Sequence, residues 1–314
     1  MQELYARVLL VLIAWGWAFA AAAQAACPPA PQPLSPQLFQ QAAAQARDRG
    51  LLWSVSKDGR NSWLYGTLHL GRAEWMAPGP GVRQALQAAD LVALEIDLLD
   101  EGVQRAFAAS QAAQQGRSLS PRTAQRLQAA WKAACLPAAD LARGAPELHV
   151  LGLMAGAGEA EGFSPVYGSE ILLSLLAKGL GKPVVSLETV PQQLQALLAR
   201  DAAEAEGFVT DSLDDLEKGR LVGVLRKTAD VWERGDIGQL EAYTSWCECA
   251  DTAAERALMR RVLDDRNPGL AAGIDALHAQ GKSVFAAVGA MHMVGQGGLV
   301  ESLRKKGYEI RRMH

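Results

Sequence analysis

This chain of 314 residues is short of histidine, of cysteine and of charge of one sign, and each shortage narrows what it can do. Lysine plus arginine number 31 against 34 aspartate plus glutamate, a formal net charge of -3. No run of like charge extends beyond a few residues. An electrostatic footprint for nucleic acid and a polybasic patch for membrane are therefore both missing. Three catalytic signatures are absent as well: there is no Gly-rich phosphate loop, no G-x-S-x-G turn and no H-E-x-x-H helix. The four cysteines include no second closely spaced pair and no neighbouring histidine, which argues against a thiolate metal site. Low-complexity sequence is confined to Ala-rich helical stretches.

One long apolar run does occur, at the start. "VLLVLIAWGWAFAAAAQAA" follows Arg7, tapers into small residues and ends before Cys27. Residues 1–26 read as a secretory signal peptide with A-x-A-type cleavage choices near Ala23 to Ala26. The alternatives are a retained anchor, since Val8 to Ala23 is of borderline spanning length, and a lipoprotein acylated at Cys27, which Gln24 at the minus-three position disfavours. Residues 27–45 hold a Pro-rich spacer and the start of the first helix, and 46–314 form one domain with a helical insertion at about 98–260. The expected location is periplasmic or secreted, with no stable membrane span after signal removal. In an oxidising compartment Cys27, Cys135, Cys247 and Cys249 are disulfide candidates. Cys135 is expected to pair with Cys247 or Cys249, because a Cys-x-Cys spacing is short for a bridge to itself.

The domain opens on "LLWSVSKDGRNSWLYGTLHL", alternating on both sides of an Asp-Gly turn, a β-hairpin signal. A Gly/Pro-rich loop, the helical "VRQALQAAD" and the buried strand "LVALEID" follow. Near the C-terminus "KSVFAAVGAMHMVG", "QGGLVESLRKKG" and "YEIRRM" repeat that order: strand, Gly-x-x-His, helix, strand. Short strands joined through helices predict an α/β fold with helices on the sheet faces, and the recurrence suggests a duplicated unit. A mixed sheet core is expected from the two ends of the chain, with the helix-rich middle as an insertion that caps it.

Ligands of open α/β sheets gather outside the carboxyl ends of strands. Gly66 and His69 in "GTLH", and Gly289 and His292 in "GAMH", fall at two such ends; each glycine permits a sharp turn or close approach and each histidine supplies an aimed imidazole. Glu95 interrupts an apolar strand, where a carboxylate is costly unless paired, hydrogen-bonded or bound to metal. Two imidazoles and a carboxylate form a recognised set for a catalytic divalent ion, which needs both rings within about 8 Å of each other. The competing reading has the histidines capping strand ends and Glu95 paired with an arginine such as Arg266. Glu188, at the end of "PVVSLE", is a candidate supporting carboxylate or general base. Arg266 and Asn267 in "DDRNPG" either face a substrate carbonyl, orient Glu95 or form a surface turn. Tyr167 and Glu170 in "YGSE" touch the site or only its packing. His149, His278 and His314 lack this context and are read as structural or exposed.

Taken together and in this order, "GTLH", "LVALEID", "GKPVVSLET", "RNPGLAAGIDAL" and "GAMH" resemble the TraB/GumN family over roughly Leu51 to Arg312. The resemblance implies an α/β core related to erythromycin esterase and ChaN-like proteins. It also implies kinship with the Tiki metalloproteases, with His69, Glu95 and His292 as the metal-dependent catalytic set and Arg266, Asn267 and Glu188 as further matched polar positions. Asp265 departs from the pattern, since relatives often carry Glu before the arginine. The expectation is an exported metal-dependent hydrolase of peptides or proteins, with manganese, cobalt or zinc as the ion. The alternative is a non-catalytic periplasmic protein that binds haem or sequesters a peptide.

Overall fold

A computed structural model describes residues 27, 30–113 and 118–314; the expected signal peptide, 1–26, lies outside the described residues. The hairpin forms as the alternation requires, β1 over Leu51–Lys57 and β2 over Arg60–Thr67. Asp58 and Gly59 both take positive φ (52° and 71°), the geometry that lets a two-residue turn match the twist of its strands. Two further sheet strands are short and apolar: β4, Leu91–Leu94, and β7, Val284–Gly289, are buried almost throughout because helices cover both faces. β6 is Val184–Ser186 and β8 is Glu309–Arg312, while β3, Gly71–Arg72, pairs separately with β5, Phe163–Ser164.

The main sheet has the order β6-β4-β7-β2-β1-β8. β6, β4, β7 and β2 run parallel, and β1 is antiparallel to both its neighbours. The sheet is therefore mixed, and the two strand, loop, helix, strand units interleave rather than lie side by side. β7 is inserted between β2 and β4, with Thr67 opposite Gly289 and Leu94 opposite Ala287. That order places the carboxyl ends of four parallel strands in a row.

Within the middle segment, helices Pro121–Ala133, Pro146–Gly156 and Ala202–Glu217 close a core of their own around Leu127, Trp131, Val150, Leu153, Val209 and Leu213. Helix Ser169–Gly179 and β6 return to the sheet. Among the described residues no helix is long and apolar enough to cross a membrane. All four cysteines are bonded, but not as expected: Cys27 pairs with Cys135, and Cys247 with Cys249. The short bridge is feasible because Glu248 between them adopts φ 54°, which leaves the two Cα atoms 5.1 Å apart, inside the ordinary range for a disulfide.

Candidate functional site

Each of the four parallel strands delivers one element of a polar cluster at its carboxyl end. β6 leads to Glu188, β4 to Glu95, β7 to Gly289 and His292, and β2 to His69. Backbone pairing continues beyond the strands, Leu187 N–H donating to Leu94 O and Glu188 N–H to Glu95 O, and this sets the two glutamates beside each other.

Glu95 is buried. Its Oε1 accepts from the Gly289 backbone N–H at 2.6 Å and its Oε2 from Arg266 Nη2 at 2.5 Å. Burial by itself pushes the carboxyl up, but His292, His69, Arg266 and the Gly289 N–H together outweigh it and hold it at about 2. Arg266 also forks onto Glu188, Nε to Oε1 at 2.9 Å and Nη2 to Oε2 at 2.5 Å, while Nη1 donates to Val262 O at 2.9 Å and lies 3.3 Å from His292 Nε2. These contacts use all five guanidinium N–H groups. Arg266 therefore orients Glu95 and Glu188, and all of its donors are occupied as the side chains stand. A π-helical turn over Arg260–Asp264, closed by Asp265 N–H on Arg260 O, leads into it.

His292 is buried, and its ring is oriented from behind. Nδ1 lies 2.7 Å from Asn267 Oδ1, and the Asn267 Nδ2 donates to Gly297 O at 2.9 Å, so the amide oxygen must face the ring. This network assigns the proton to Nδ1 and leaves Nε2 as the acceptor for Arg266. Burial is the main reason the ring's pKa falls to about 4, keeping it neutral at pH 7. Nε2 stands 4.0 Å from Glu95 Oε1.

His69 is held differently. Ser169, at the start of helix Ser169–Gly179, clasps Leu68: the Leu68 N–H donates to Ser169 Oγ at 2.7 Å and the Ser169 N–H to Leu68 O at 3.0 Å. The clasp brings the next residue, Glu170, to 2.8 Å from His69 Nδ1. The Glu170 carboxylate raises the ring to about 9. Because the His69 side chain is 71% exposed, water screens part of that attraction.

Gly289 explains how these groups share one space. A Cβ there would stand 3.1 Å from Glu95 Oε1, 3.5 Å from His292 Cδ2 and 3.9 Å from His69 Nε2. The two rings thus approach within the sum of the last two distances, inside the ~8 Å limit for a shared ion. Gly66 serves packing instead: a Cβ on it would press on Ala290 and Leu51, so its absence lets β2 lie against the second histidine turn.

Glu95 pairs with Arg266, as the competing reading of the sequence had it, and its Oε1 lies 4.0 Å from His292 Nε2. Asp97 is not in the cluster; Ser174 Oγ and Lys178 hold it on the other side of the strand end. Tyr167 packs, donating to Gln32 O. His149 and His278 bond to backbone carbonyls and Ser62, as structural histidines do. Glu170 is the residue whose role the sequence left open, and its signal was an acidic group in the first turn of a helix following a Gly-Ser.

The donor types present, two imidazoles and a carboxylate, are ones that divalent ions take. Both imidazoles have Nδ1 beside an oxygen, Glu170 Oε1 for His69 and Asn267 Oδ1 for His292, which is how the rings of ligating histidines are commonly oriented. One contact competes, because an ion on His292 Nε2 replaces the Arg266 Nη1 contact. As the side chains stand, no three His, Cys, Asp or Glu groups among the described residues converge closely enough to hold an ion together.

In comparison with known proteins, a model of the TraB/PrgY/gumN family matches residues 51–312. No curated protein and no solved structure matches the chain.

Proposed function

The chain belongs to the TraB/PrgY/gumN family, and from that premise we propose that it is an exported, metal-dependent hydrolase that cleaves peptide bonds. The observation that carries the proposal is the arrangement around Gly289: two imidazoles, with Nδ1 beside Glu170 in one and Asn267 in the other, gathered with the Glu95 carboxylate at the same row of strand ends. His69 Nε2, His292 Nε2 and Glu95 would hold the ion. When bound, a manganese, cobalt or zinc ion supplies Lewis-acid polarisation of a carbonyl and activation of water. The surrounding charge favours it, since Glu95, Glu170 and Glu188 bring three carboxylates against the guanidinium of Arg266 and the His69 ring, whose proton an ion would displace.

The chain's own groups divide the work. A carboxyl held at about 2 is a weak base, so Glu95 acts as ligand and orienting group rather than as proton acceptor. Arg266 locks Glu95 and Glu188 in place, and Asn267 holds the His292 tautomer. His69, open to solvent, is the member of the set that an arriving substrate meets first. Export is supported by the pairing of all four cysteines, which suits an oxidising compartment.

The test is elemental analysis of protein purified without chelator, alongside cleavage of a peptide library. His69→Ala and His292→Ala should each abolish bound metal and cleavage while leaving the fold intact. Metal retained at full stoichiometry in both variants overturns the reading; peptide bound by the wild-type protein and recovered uncut points instead to sequestration.

A further inference from the structure

A polar groove of about 430 Å³ leads away from the cluster, bounded by Glu188, Arg266, Gln192, Gln195 and Arg261. Arg261 is anchored between Ala196 O and Glu204 and forms the divide between this groove and a second, more apolar cleft of about 280 Å³ in the helical insertion. One continuous stretch, helix Ala253–Met259 running into the π-helical turn Arg260–Asp264, walls both spaces. The cleft floor is built from the half-buried side chains of Met154, Leu197, Phe208, Leu258 and Met259, a methionine-containing surface of the adaptable kind.

The rim has one sign of charge. Asp211, Asp215, Glu248 and Glu255 surround the opening, and Arg261 is the one cation that lines it among the described residues. Asp215 and Glu248 face Arg220, and Glu255 is occupied in capping its helix at the Thr252 N–H. Asp211 makes no hydrogen bond or ion pair among the described residues, and burial together with Glu255, Asp214 and Asp215 raises its pKa against the smaller opposing pull of Lys218. An unpaired carboxylate beside an apolar floor is matched by a cation attached to an apolar group.

We infer that this cleft is a substrate subsite that takes a peptide segment carrying a large apolar side chain next to a lysine or arginine, the main chain then running along the polar groove to the cluster. The inference rests on the hydrolase reading only for the word substrate; the binding stands without it. The volume suits one or two side chains, being at the low end for ligand pockets. The exposed Gln195 carboxamide, free of hydrogen bonds among the described residues, faces the groove with a donor and an acceptor for passing peptide groups.

Gly207 supplies the test. It lies on the cleft wall within helix Ala202–Glu217, and a Cβ there meets nothing within 4 Å. Gly207→Phe adds a bulky ring at the cleft wall from a position with room for its Cβ, and replacing a helical glycine favours the fold. The probe is a dye-labelled synthetic peptide with adjacent Phe and Lys, with Phe→Ser and Lys→Glu peptides as comparisons, followed by fluorescence anisotropy on the full chain carrying His292→Ala so that no cleavage intrudes. Gly207→Phe and the Phe→Ser peptide should each weaken binding at least about tenfold, the worth of one buried apolar side chain. Asp211→Lys and the Lys→Glu peptide should cost about fivefold and lose their effect at high salt. Equal binding of the three peptides, or binding indifferent to Gly207→Phe in a protein with unchanged circular dichroism, overturns the inference. Selective binding with no cleavage by the wild-type protein upholds it and overturns the hydrolase reading; cleavage indifferent to Gly207→Phe does the reverse.

Discussion

Arg266→Met tests the cluster at its electrostatic centre. Methionine keeps much of the buried volume, so the change is mainly in charge and hydrogen bonding. The side chains of Arg266, Glu95 and Glu188 are only 15%, 6% and 8% exposed. Removing the guanidinium leaves two adjacent buried carboxylates without their shared cation, and breaking a buried pair from one side costs about 3–5 kcal/mol. For a chain of this size that is a fall of roughly 5–8 °C in Tm. The pH dependence identifies the cause. In the variant the folded-state pKa of the glutamates rises above the unfolded value, so the folded state binds more protons and the penalty shrinks as pH falls from 7 towards 5. Adding Glu95→Gln and Glu188→Gln to Arg266→Met should restore most of the loss, because neutral groups in place of a buried ion cluster are tolerated. Denaturant unfolding followed by tryptophan fluorescence at pH 7 and pH 5 measures all of this. A loss below about 1 kcal/mol, or one equal at both pH values, refutes the picture of Arg266 as the compensating charge.

Wild-type stability should itself fall on acidification. His292 is held at about 4 in the fold against 6.5 for a free ring, so the unfolded state binds more protons in that window and stability drops by up to roughly 3 kcal/mol from pH 6.5 to pH 4. Glu95, lowered to about 2, extends the loss below pH 4.5; unfolding midpoints that stay flat from pH 7 to pH 4 contradict the assignment of a neutral buried ring. Gly289→Ala puts a methyl 3.1 Å from Glu95 Oε1 and should cut metal content and cleavage at least about tenfold while changing stability by about 1 kcal/mol; Gly269→Ala, a helical position where a Cβ meets nothing within 4 Å, is the control that leaves metal content and cleavage unchanged. Glu170→Gln should lower the His69 pKa from about 9 towards 6.5, read from the ring proton shifts by NMR, and an unmoved titration removes Glu170 from the site.

Much of the fold is legible because its signals are local. Alternation about Asp58-Gly59 predicts the hairpin, continuous apolar runs predict β4 and β7, and the repeated Gly-x-x-His order predicts two strand ends bearing imidazoles. A charge in an otherwise apolar strand singles out Glu95, since burial makes an uncompensated carboxylate untenable. Glu170 was less visible because its partnership with His69 spans 101 residues through the Ser169 clasp and no spacing announces it.

The disulfides show the same boundary. Chain separation alone made the Cys247–Cys249 bridge look too short, and only a left-handed Glu248 brings the two sulfurs together. Likewise "DDRNPG" indicates a polar turn before a helix, whereas the discovery that all five Arg266 N–H groups are spent needs the positions of Glu95, Glu188, Val262 and His292 at once. The amino-acid order by itself determined the units, the residues capable of chemistry and the strand ends they occupy, because backbone preference and hydrophobic period act over a few residues. Tertiary structure alone decided that β7 lies between β4 and β2, and with it that His69, Glu95 and His292 come to neighbouring strand ends, because strand order is settled by which distant surfaces exclude water together.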